Sequence, residues 1–393
     1  MRMKLTHLIL FGISSLTAIA TPTKQCIELE IPISIIANNS IYSMPTVDNT
    51  FEAVQWTLNV TTWSRNLNSS INLGPKLINS TFSINAQLCI PQHKTPKSNI
   101  LQIAISGRGF DKRYWDPEIN PAKYSYIDAA IKKGYSILSY DMLGSGKSSK
   151  PNAYEVVQLP TQVEILAELT KLIKSGYLLT SSKLLSPLTI PTVFKPSKIV
   201  HVGHSYGSAV TFNFLIQHGN LSDAAILTGL LFNSKAGSVN VAYFDHEFAR
   251  QHDPIRFNQY NSGYIVLTFQ SDLQKLFFRY PGGFEPEMLT YLEKIKQPEA
   301  VGLYASESML RVGQHANDFK GPVQFMVGEF DFVNCMGDCK GGVYDEGLTM
   351  RSFPVAKNVT HYLQPGTGHA LSLARNATGG YEVMLGFLGD NGL

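Results

Sequence analysis

A strand, a tight turn and a helix follow one another around the pentapeptide Gly203-His204-Ser205-Tyr206-Gly207. The apolar run 198–202 precedes the pentapeptide, and 208–215 continues it with a helical pattern. The glycines at its two ends let the backbone turn tightly, so Ser205 can stand in a strained elbow with its hydroxyl exposed above a sheet. The sequence therefore predicts Ser205 as a nucleophile.

The composition is that of a globular protein. Of the 393 residues, 44% are hydrophobic and 16% are charged, which excludes a disordered chain. The length allows one large core with an inserted subdomain, or two modest domains. The net charge of +3 does not indicate a nucleic-acid or strongly acidic partner.

The first twenty residues have the pattern of a secretory signal. Arg2 and Lys4 precede the apolar run 8–13, and Ala18-Ile19-Ala20 places small residues at a cleavage site. An uncleaved membrane anchor is the alternative, but roughly 13 mostly apolar residues are too few to span a bilayer. We therefore expect a signal peptide over 1–20, a secreted, extracellular protein, and no membrane span after cleavage.

Asn-x-Ser/Thr sites are frequent and agree with passage through a glycosylating pathway. Four of the seven fall before residue 80, which favours a glycoprotein whose N-terminal segment lies at the surface. The sites are Asn38, Asn59, Asn68, Asn79, Asn220, Asn358 and Asn376.

The chain has four cysteines, and in an oxidising compartment an even number predicts disulfides. Three pairings are possible. We favour Cys26 with Cys89 and Cys335 with Cys339, because each pair then lies within a local unit. A zinc site is the competing interpretation, but these spacings match no usual ligand pattern, and we expect no metal.

Strands come first and then alternate with helices. A β-rich segment over 21–100 leads into the first part of an α/β core over 101–231, where buried strands alternate with helical patterns. This alternation implies a mostly parallel sheet with both faces covered.

The alternation stops after the predicted strand 224–228. Residues 232–318 are irregular or helical and rich in Tyr and Phe, as expected of a cap over a pocket. We call 232–318 the cap insertion. The strand pattern resumes at 322–327, so the second part of the core is expected over 319–393.

A serine hydroxyl needs a base, and the base needs a group that holds its other nitrogen. His369 stands out because it lies in a Gly-rich loop between the last predicted strand and a helix. Asp331 follows the strand after the cap insertion and is the candidate acid, with Glu329 and Asp338 as rivals. A Cys335–Cys339 bridge would stiffen the loop that carries Asp331.

The order Ser205, Asp331, His369 is the triad order of α/β-hydrolases. The chain resembles the α/β-hydrolase superfamily over roughly residues 80–393, and looks most like secreted fungal members of unassigned substrate. The resemblance implies an α/β-hydrolase fold: a mostly parallel central sheet with helices on both faces and an inserted helical cap. The matching segments are 203–207, 328–331, 368–369 and 141–148.

By the same resemblance, an oxyanion hole uses the backbone N–H after the nucleophile, which is that of Tyr206. A second N–H comes from the loop after an early strand, where Arg108 is the expected donor and Gly109 and Phe110 are alternatives. Ser106 stands where many members of the family have His.

These observations predict a secreted serine hydrolase, a carboxylic ester hydrolase acting through an acyl-enzyme on an apolar small molecule. The mechanism requires no cofactor. A lactonase, peptidase, acyltransferase or lyase would use the same three residues. From another class, the alternative is a non-catalytic protein of the same fold that binds an apolar ligand or a partner.

Overall fold

The computed structural model describes residues 24–61, 72–187, 190, 193–232, 244–278, 280–311, 313–340 and 346–393. The predicted signal peptide and Asn68 lie outside these residues. Within the described ranges, no helix has both the length and the apolar character that crossing a bilayer requires.

Nine strands of the described chain form one sheet, and three more form a second, small sheet. The strands are β1 (Lys24–Tyr42), β2 (Asn72–Pro91), β3 (Ile100–Ile105), β4 (Ser136–Tyr140), β5 (Lys183–Leu184), β6 (Lys198–His204), β7 (Ala224–Thr228), β8 (His246–Phe248), β9 (Tyr264–Leu267), β10 (Glu299–Ala300), β11 (Val323–Gly328) and β12 (Val359–Gln364).

The large sheet is mostly parallel, as predicted. Its order is β12-β11-β7-β6-β3-β4-β2-β1-β5. The six strands from β12 to β4 pair in parallel, and β2, β1 and β5 add an antiparallel edge. Strands β3, β4 and β7 are buried along their whole length, because helices cover both faces of the parallel part.

The helices of the described chain follow the alternating pattern in the core and cluster in the cap insertion. They are α1 (Thr50–Thr61), α2 (Pro121–Tyr124), α3 (Tyr126–Lys132), α4 (Leu159–Ser175), α5 (Tyr206–His218), α6 (Ala249–His252), α7 (Gln270–Phe277), α8 (Pro286–Ile295), α9 (Val301–Ala305), α10 (Phe332–Cys335), α11 (Glu346–Ser352) and α12 (Ala377–Asp390).

The N-terminal β segment differs from the prediction in two respects. Strands β1 and β2 pair from Lys24 opposite Pro91 to Tyr42 opposite Asn72, a much longer ribbon than the apolar positions indicate. A helix, α1, stands where the sequence indicates an Asn/Ser-rich loop. Its buried Trp56 packs with Phe248 and Val301 of the cap insertion, so tertiary burial outweighs weak helix propensity.

The cap insertion contains helices and also the antiparallel sheet β10-β9-β8. These strands are only two to four residues long, too short to give a period-2 pattern in the sequence. The segment just before β10 contacts the loop after β3, where the Gln297 N–H donates to the Gly109 carbonyl at 2.7 Å.

Candidate active site

The three candidate catalytic residues lie at the carboxyl ends of three parallel strands. Ser205 directly follows β6, Asp331 follows β11 and His369 follows β12. Strands β11 and β12 are neighbours, and only β7 separates β11 from β6. The fold therefore brings together residues that are up to 164 positions apart in the chain.

The turn at Ser205 is a strained elbow. Ser205 has φ +53° and ψ −118°, a region that costs a non-glycine residue about 1–3 kcal/mol. Both flanking glycines are needed for close packing. A Cβ on Gly203 would lie 2.6 Å from the Ser208 backbone, and one on Gly207 would lie 2.5 Å from the Ile105 carbonyl oxygen.

A continuous chain of hydrogen bonds joins the three side chains. The Asp331 carboxylate can only accept, so His369 Nδ1 donates to Asp331 Oδ2 at 2.8 Å. His369 Nε2 is then left as an acceptor, and the Ser205 hydroxyl donates to it at 2.8 Å. His369 and Asp331 are buried, whereas Ser205 is half-buried and open to a substrate.

Asp331 stays ionised although it is buried. Burial alone raises the pKa of this carboxyl, but the electrostatic interaction with the His369 ring and the hydrogen bonds donated by His369 and Asn334 outweigh it, so the pKa lies below its ordinary value. The Asn334 backbone N–H donates at 2.9 Å and its side-chain amide at 2.8 Å. Asn334 was missed in the sequence, although a carboxylate at the N-cap of α10 is a recognisable signal.

Behind the base lies a second, neutral imidazole. His204 is buried, its ring centroid lies 5.0 Å from that of His369, and it stacks on Tyr114 at 4.4 Å. Burial, and then the proximity of His369, lower the pKa of His204 well below its ordinary value. The single hydrogen of the Thr228 hydroxyl is donated to the Gly203 carbonyl. The hydroxyl oxygen can therefore only accept from His204, so His204 Nδ1 donates to it at 3.1 Å.

Neither rival acid contacts His369 in the described structure. The Glu329 carboxylate accepts the Gly366 N–H at 2.9 Å and pairs with Lys340, so it ties the acid loop to the loop that carries His369. Lys340 and the Gly366 N–H hold the pKa of Glu329 below its ordinary value. Asp338 accepts the Lys340 backbone N–H at 3.1 Å.

The predicted oxyanion loop lies directly against the nucleophile. A Cβ on Gly107 would stand 3.0 Å from Ser205 Cβ, because β3 and β6 are adjacent and pair Ile105 with Gly203. Tyr206 opens helix α5, so its N–H belongs to the first turn, whose N–H groups have no intrahelical partner. The Ser106 hydroxyl donates to the Phe110 carbonyl at 3.3 Å and closes the loop locally.

The Arg108 side chain lies among two tyrosine rings and two carboxylates. Its guanidinium carbon lies 4.0 Å from the centroid of the Tyr304 ring and 5.2 Å from that of the Tyr206 ring. Its nitrogens face the carboxylates of Glu299 and Glu307. Glu299 and Tyr304 belong to the cap insertion, and no sequence signal links them to the loop.

The cap insertion also reaches the candidate base, His369. Phe277 of α7 stacks on His369 with centroids 5.9 Å apart and contacts the Phe110 ring at 5.1 Å. A separate cavity of about 490 Å³ lies near Asp111 and Gln297, and none of its lining residues is a candidate catalytic residue. Charged side chains dominate it, including Asp111, Lys112 and Asp141.

Both favoured disulfides are present, Cys26–Cys89 and Cys335–Cys339. Among the described residues, no group of three or more His, Cys, Asp or Glu side chains could hold a metal ion. Four predicted glycosylation sites are exposed and two are half-buried. The exposed ones are Asn38, Asn79, Asn220 and Asn358, and the half-buried ones are Asn59 and Asn376.

No protein-family model matches this sequence, and no curated protein matches it. Solved structures do. A laboratory-evolved variant of potato epoxide hydrolase is 16% identical, with 79% of this chain and 96% of that chain covered and a TM-score of 0.50. A thermophilic esterase from Thermogutta terrifontis is 15% identical, with 79% and 94% covered and a TM-score of 0.49.

A structure from the ammonia-oxidising thaumarchaeon Nitrososphaera gargenis, from work on carboxylesterases, is 14% identical, with 79% of this chain and 95% of that chain covered and a TM-score of 0.47. The likeness to the potato epoxide hydrolase variant, at 16% identity and a TM-score of 0.50, establishes the fold and not the activity. The chain has the α/β-hydrolase fold, which confirms the prediction from its sequence.

Proposed function

We propose that this protein is a secreted serine hydrolase that cleaves carboxylic esters through a Ser205-His369-Asp331 triad. The observation that carries the proposal is the unbroken chain of two 2.8 Å hydrogen bonds from Asp331 to His369 to Ser205, at a strained elbow. A serine in an ordinary surface turn would not be expected to contact a buried histidine that is itself bonded to a buried carboxylate.

The reaction proceeds in two acyl transfers. Ser205 Oγ attacks the ester carbonyl while its proton passes to His369 Nε2, and Asp331 stabilises the imidazolium that forms. The proton then goes to the leaving alkoxide, which departs as the alcohol. A water molecule, deprotonated by His369, attacks the acyl-enzyme, and the acid is released as Ser205 regains its proton.

Negative charge develops on the substrate carbonyl oxygen in both steps. The Tyr206 N–H at the start of α5 and the backbone N–H of Arg108, with Gly109 and Phe110 as alternatives, would receive it. One such donor commonly contributes about 3 kcal/mol to transition-state stabilisation. The dipole of helix α5 has its positive end at the same place and adds to the effect.

An apolar acyl or alcohol group is the substrate class that the cap insertion favours. The Phe277 ring of the cap insertion stacks on the His369 ring and packs on the Phe110 ring. A series of p-nitrophenyl esters of increasing acyl length tests this, and we expect kcat/KM to rise from acetate to medium-chain esters. A maximum at acetate would contradict an apolar acyl site.

Labelling with a fluorophosphonate tests the activity itself, because the reagent reacts with an activated serine. We expect the wild type to be labelled and Ser205→Ala to be silent. Ser208→Ala is the matched control, since Ser208 lies in the first turn of the helix that follows Ser205 but its hydroxyl donates to the Thr228 carbonyl at 2.7 Å. Folded wild type that is not labelled would overturn the proposal in favour of a binding protein.

Secretion is supported by the two disulfides and by the exposed Asn sites. Expression of the full chain in a eukaryotic host should deliver to the medium a glycoprotein that begins after residue 20. Asn376 should stay unmodified, because it is half-buried and its amide donates to the Pro365 carbonyl at 3.3 Å. A protein retained in the cells with residues 1–20 attached would contradict secretion.

A further inference from the structure

We propose that Glu299, in the cap insertion, is a positioning residue that holds the loop after β3 in the shape of an oxyanion hole. The proposal rests on the proposed serine hydrolase function and adds to it a residue distant in sequence. Glu299 does not touch the reacting atoms. It acts through the two loop residues Arg108 and Gly109.

The first contact is with the Arg108 side chain. Glu299 Oε2 lies 3.7 Å from Arg108 Nε, and only 6% of the Glu299 side chain is exposed. The Tyr304 hydroxyl donates to the same Oε2 at 2.6 Å, and the Tyr304 ring lies beneath the guanidinium. Tyr304 therefore contacts both side chains and holds the Glu299 carboxylate close to the Arg108 guanidinium.

The second contact is with the loop backbone. Gly109 has φ +74°, and a Cβ there would lie 2.8 Å from Glu299 Oε1, so the carboxylate packs directly on the Gly109 backbone. Two residues earlier on the same segment, the Gln297 N–H donates to the Gly109 carbonyl. The cap insertion thus contacts Gly109 in two ways, through the Glu299 carboxylate and through the main-chain hydrogen bond from Gln297.

The third link reaches the other side of the oxyanion hole. The Arg108 guanidinium faces the Tyr206 ring at 5.2 Å, so one side chain connects the two residues whose N–H groups would bind the oxyanion. An N–H donor stabilises the oxyanion fully only when it is already in position before the negative charge develops. If the loop has to reorganise first, that reorganisation costs the free energy that the hydrogen bond would contribute. Glu299 supplies that restraint from outside the loop.

Glu307 gives an internal comparison. It also pairs with Arg108, but 44% of its side chain is exposed, and exposed ion pairs contribute little. Burial raises the pKa of Glu299, and the charge of Arg108 opposes that rise. Arg108 keeps Glu307 when Glu299 is removed, so the larger effect that we expect of Glu299 comes from its buried contacts with the Gly109 backbone and the Tyr304 hydroxyl.

The test compares Glu299→Gln with Glu307→Gln in the full-length secreted protein, on a p-nitrophenyl ester that the wild type hydrolyses. We expect Glu299→Gln to lower kcat on the order of tenfold, less than the roughly 10²–10³-fold lost when a donor is removed outright. KM should change by less than about twofold, and Glu307→Gln should lower kcat by less than about twofold.

Two further readouts separate positioning from a general structural role. Affinity for a trifluoromethyl ketone, which forms a tetrahedral adduct, should fall by the same factor as kcat. The acid limb of the pH profile of kcat/KM should not move, because the Asp331–His369–Ser205 contacts are untouched. If Glu299→Gln does not fold, Tyr304→Phe removes the hydroxyl that fixes Glu299 and should lower kcat about threefold.

Equal kcat values for Glu299→Gln and Glu307→Gln, or a loss confined to KM, would overturn the positioning role while leaving the serine hydrolase intact. Wild type that neither labels at Ser205 nor hydrolyses any ester would overturn the hydrolase itself, and with it the role of Glu299. The two failures are therefore distinguishable in the same set of measurements.

Discussion

The two disulfides lie in very different parts of the molecule. Cys26–Cys89 joins residues 63 positions apart that face each other across β1 and β2, at the antiparallel edge of the sheet. Cys335–Cys339 joins residues only four positions apart, in the loop that carries Asp331. The same bond therefore closes a long segment in one place and a single turn in the other.

The short bridge adds to a loop that already has several backbone hydrogen bonds. The Asp331 carbonyl accepts the N–H groups of Cys335 at 3.1 Å and Gly337 at 3.0 Å, and the Glu329 carbonyl accepts that of Cys339 at 3.0 Å. A cross-link stabilises mainly by restricting the unfolded chain, and more so for longer loops. From this comparison we expect the long bridge to contribute mainly to stability and the short bridge to the position of the Asp331 carboxylate.

The largest effect is expected from the carboxylate itself. Asp331→Asn should lower kcat about 10⁴-fold, because an amide cannot hold His369 in the tautomer that accepts the Ser205 proton. The matched control is Asp338→Asn, inside the same disulfide ring, which should change kcat by less than about twofold. A comparable loss for both variants would show that the ring, and not Asp331, matters.

Removing the long bridge should have the next largest effect, on stability alone. We expect Cys26→Ser/Cys89→Ser to lower the free energy of unfolding by about 4 kcal/mol, from the entropy of the loop it closes. The kcat per active site, counted by fluorophosphonate titration, should stay at the wild-type value. Denaturant unfolding measures the free energy of unfolding. A drop in kcat for this variant would contradict the assignment of the long bridge to stability alone.

Removing the short bridge should produce the opposite pattern. For Cys335→Ser/Cys339→Ser the loop entropy predicts about 2 kcal/mol, half the loss at the other site. The kcat should nevertheless fall on the order of tenfold, because small displacements of a catalytic group are costly. An unchanged kcat with a large loss of stability would mean that the backbone hydrogen bonds alone position Asp331.

The smallest effect concerns Glu329, which ties the acid loop to Gly366. Its pKa is lowered by Lys340 and the Gly366 N–H, so its contribution is present above the ordinary Glu pKa and disappears as pH falls through the lowered value. Glu329→Gln should lower kcat about twofold at neutral pH. On acidification, the free energy of unfolding of the Glu329→Gln variant should also fall less than that of the wild type. Denaturant unfolding at several pH values measures this difference.

Much of the fold can be predicted because local signals agree with the tertiary structure. Strands β3, β4, β6 and β7 are apolar runs, and the elbow has glycines where close backbone packing requires them. The helix α1 could not be predicted, because its stability comes from Trp56 packing on a segment far along the chain. Local pattern gives no information about such a partner.

The candidate site divides in the same way. Ser205 and His369 lie in distinctive Gly-containing loops, so the sequence alone singles them out. Asp331 and Glu329 are two residues apart after one strand, and only the geometry distinguishes the carboxylate at His369 from the one at Gly366. The contact of Arg108 with Glu299 joins the core to the cap insertion and leaves no trace in either local sequence.

The spacing of the triad has a consequence for biosynthesis. Ser205 precedes Asp331, and His369 comes last, 164 residues after the serine. While the chain is still being synthesised, the elbow segment leaves the ribosome long before His369, and a shorter nascent chain lacks the hydrogen bond between Ser205 and His369. The proposed hydrolytic activity would thus arise only late in translation, once His369 can reach Ser205.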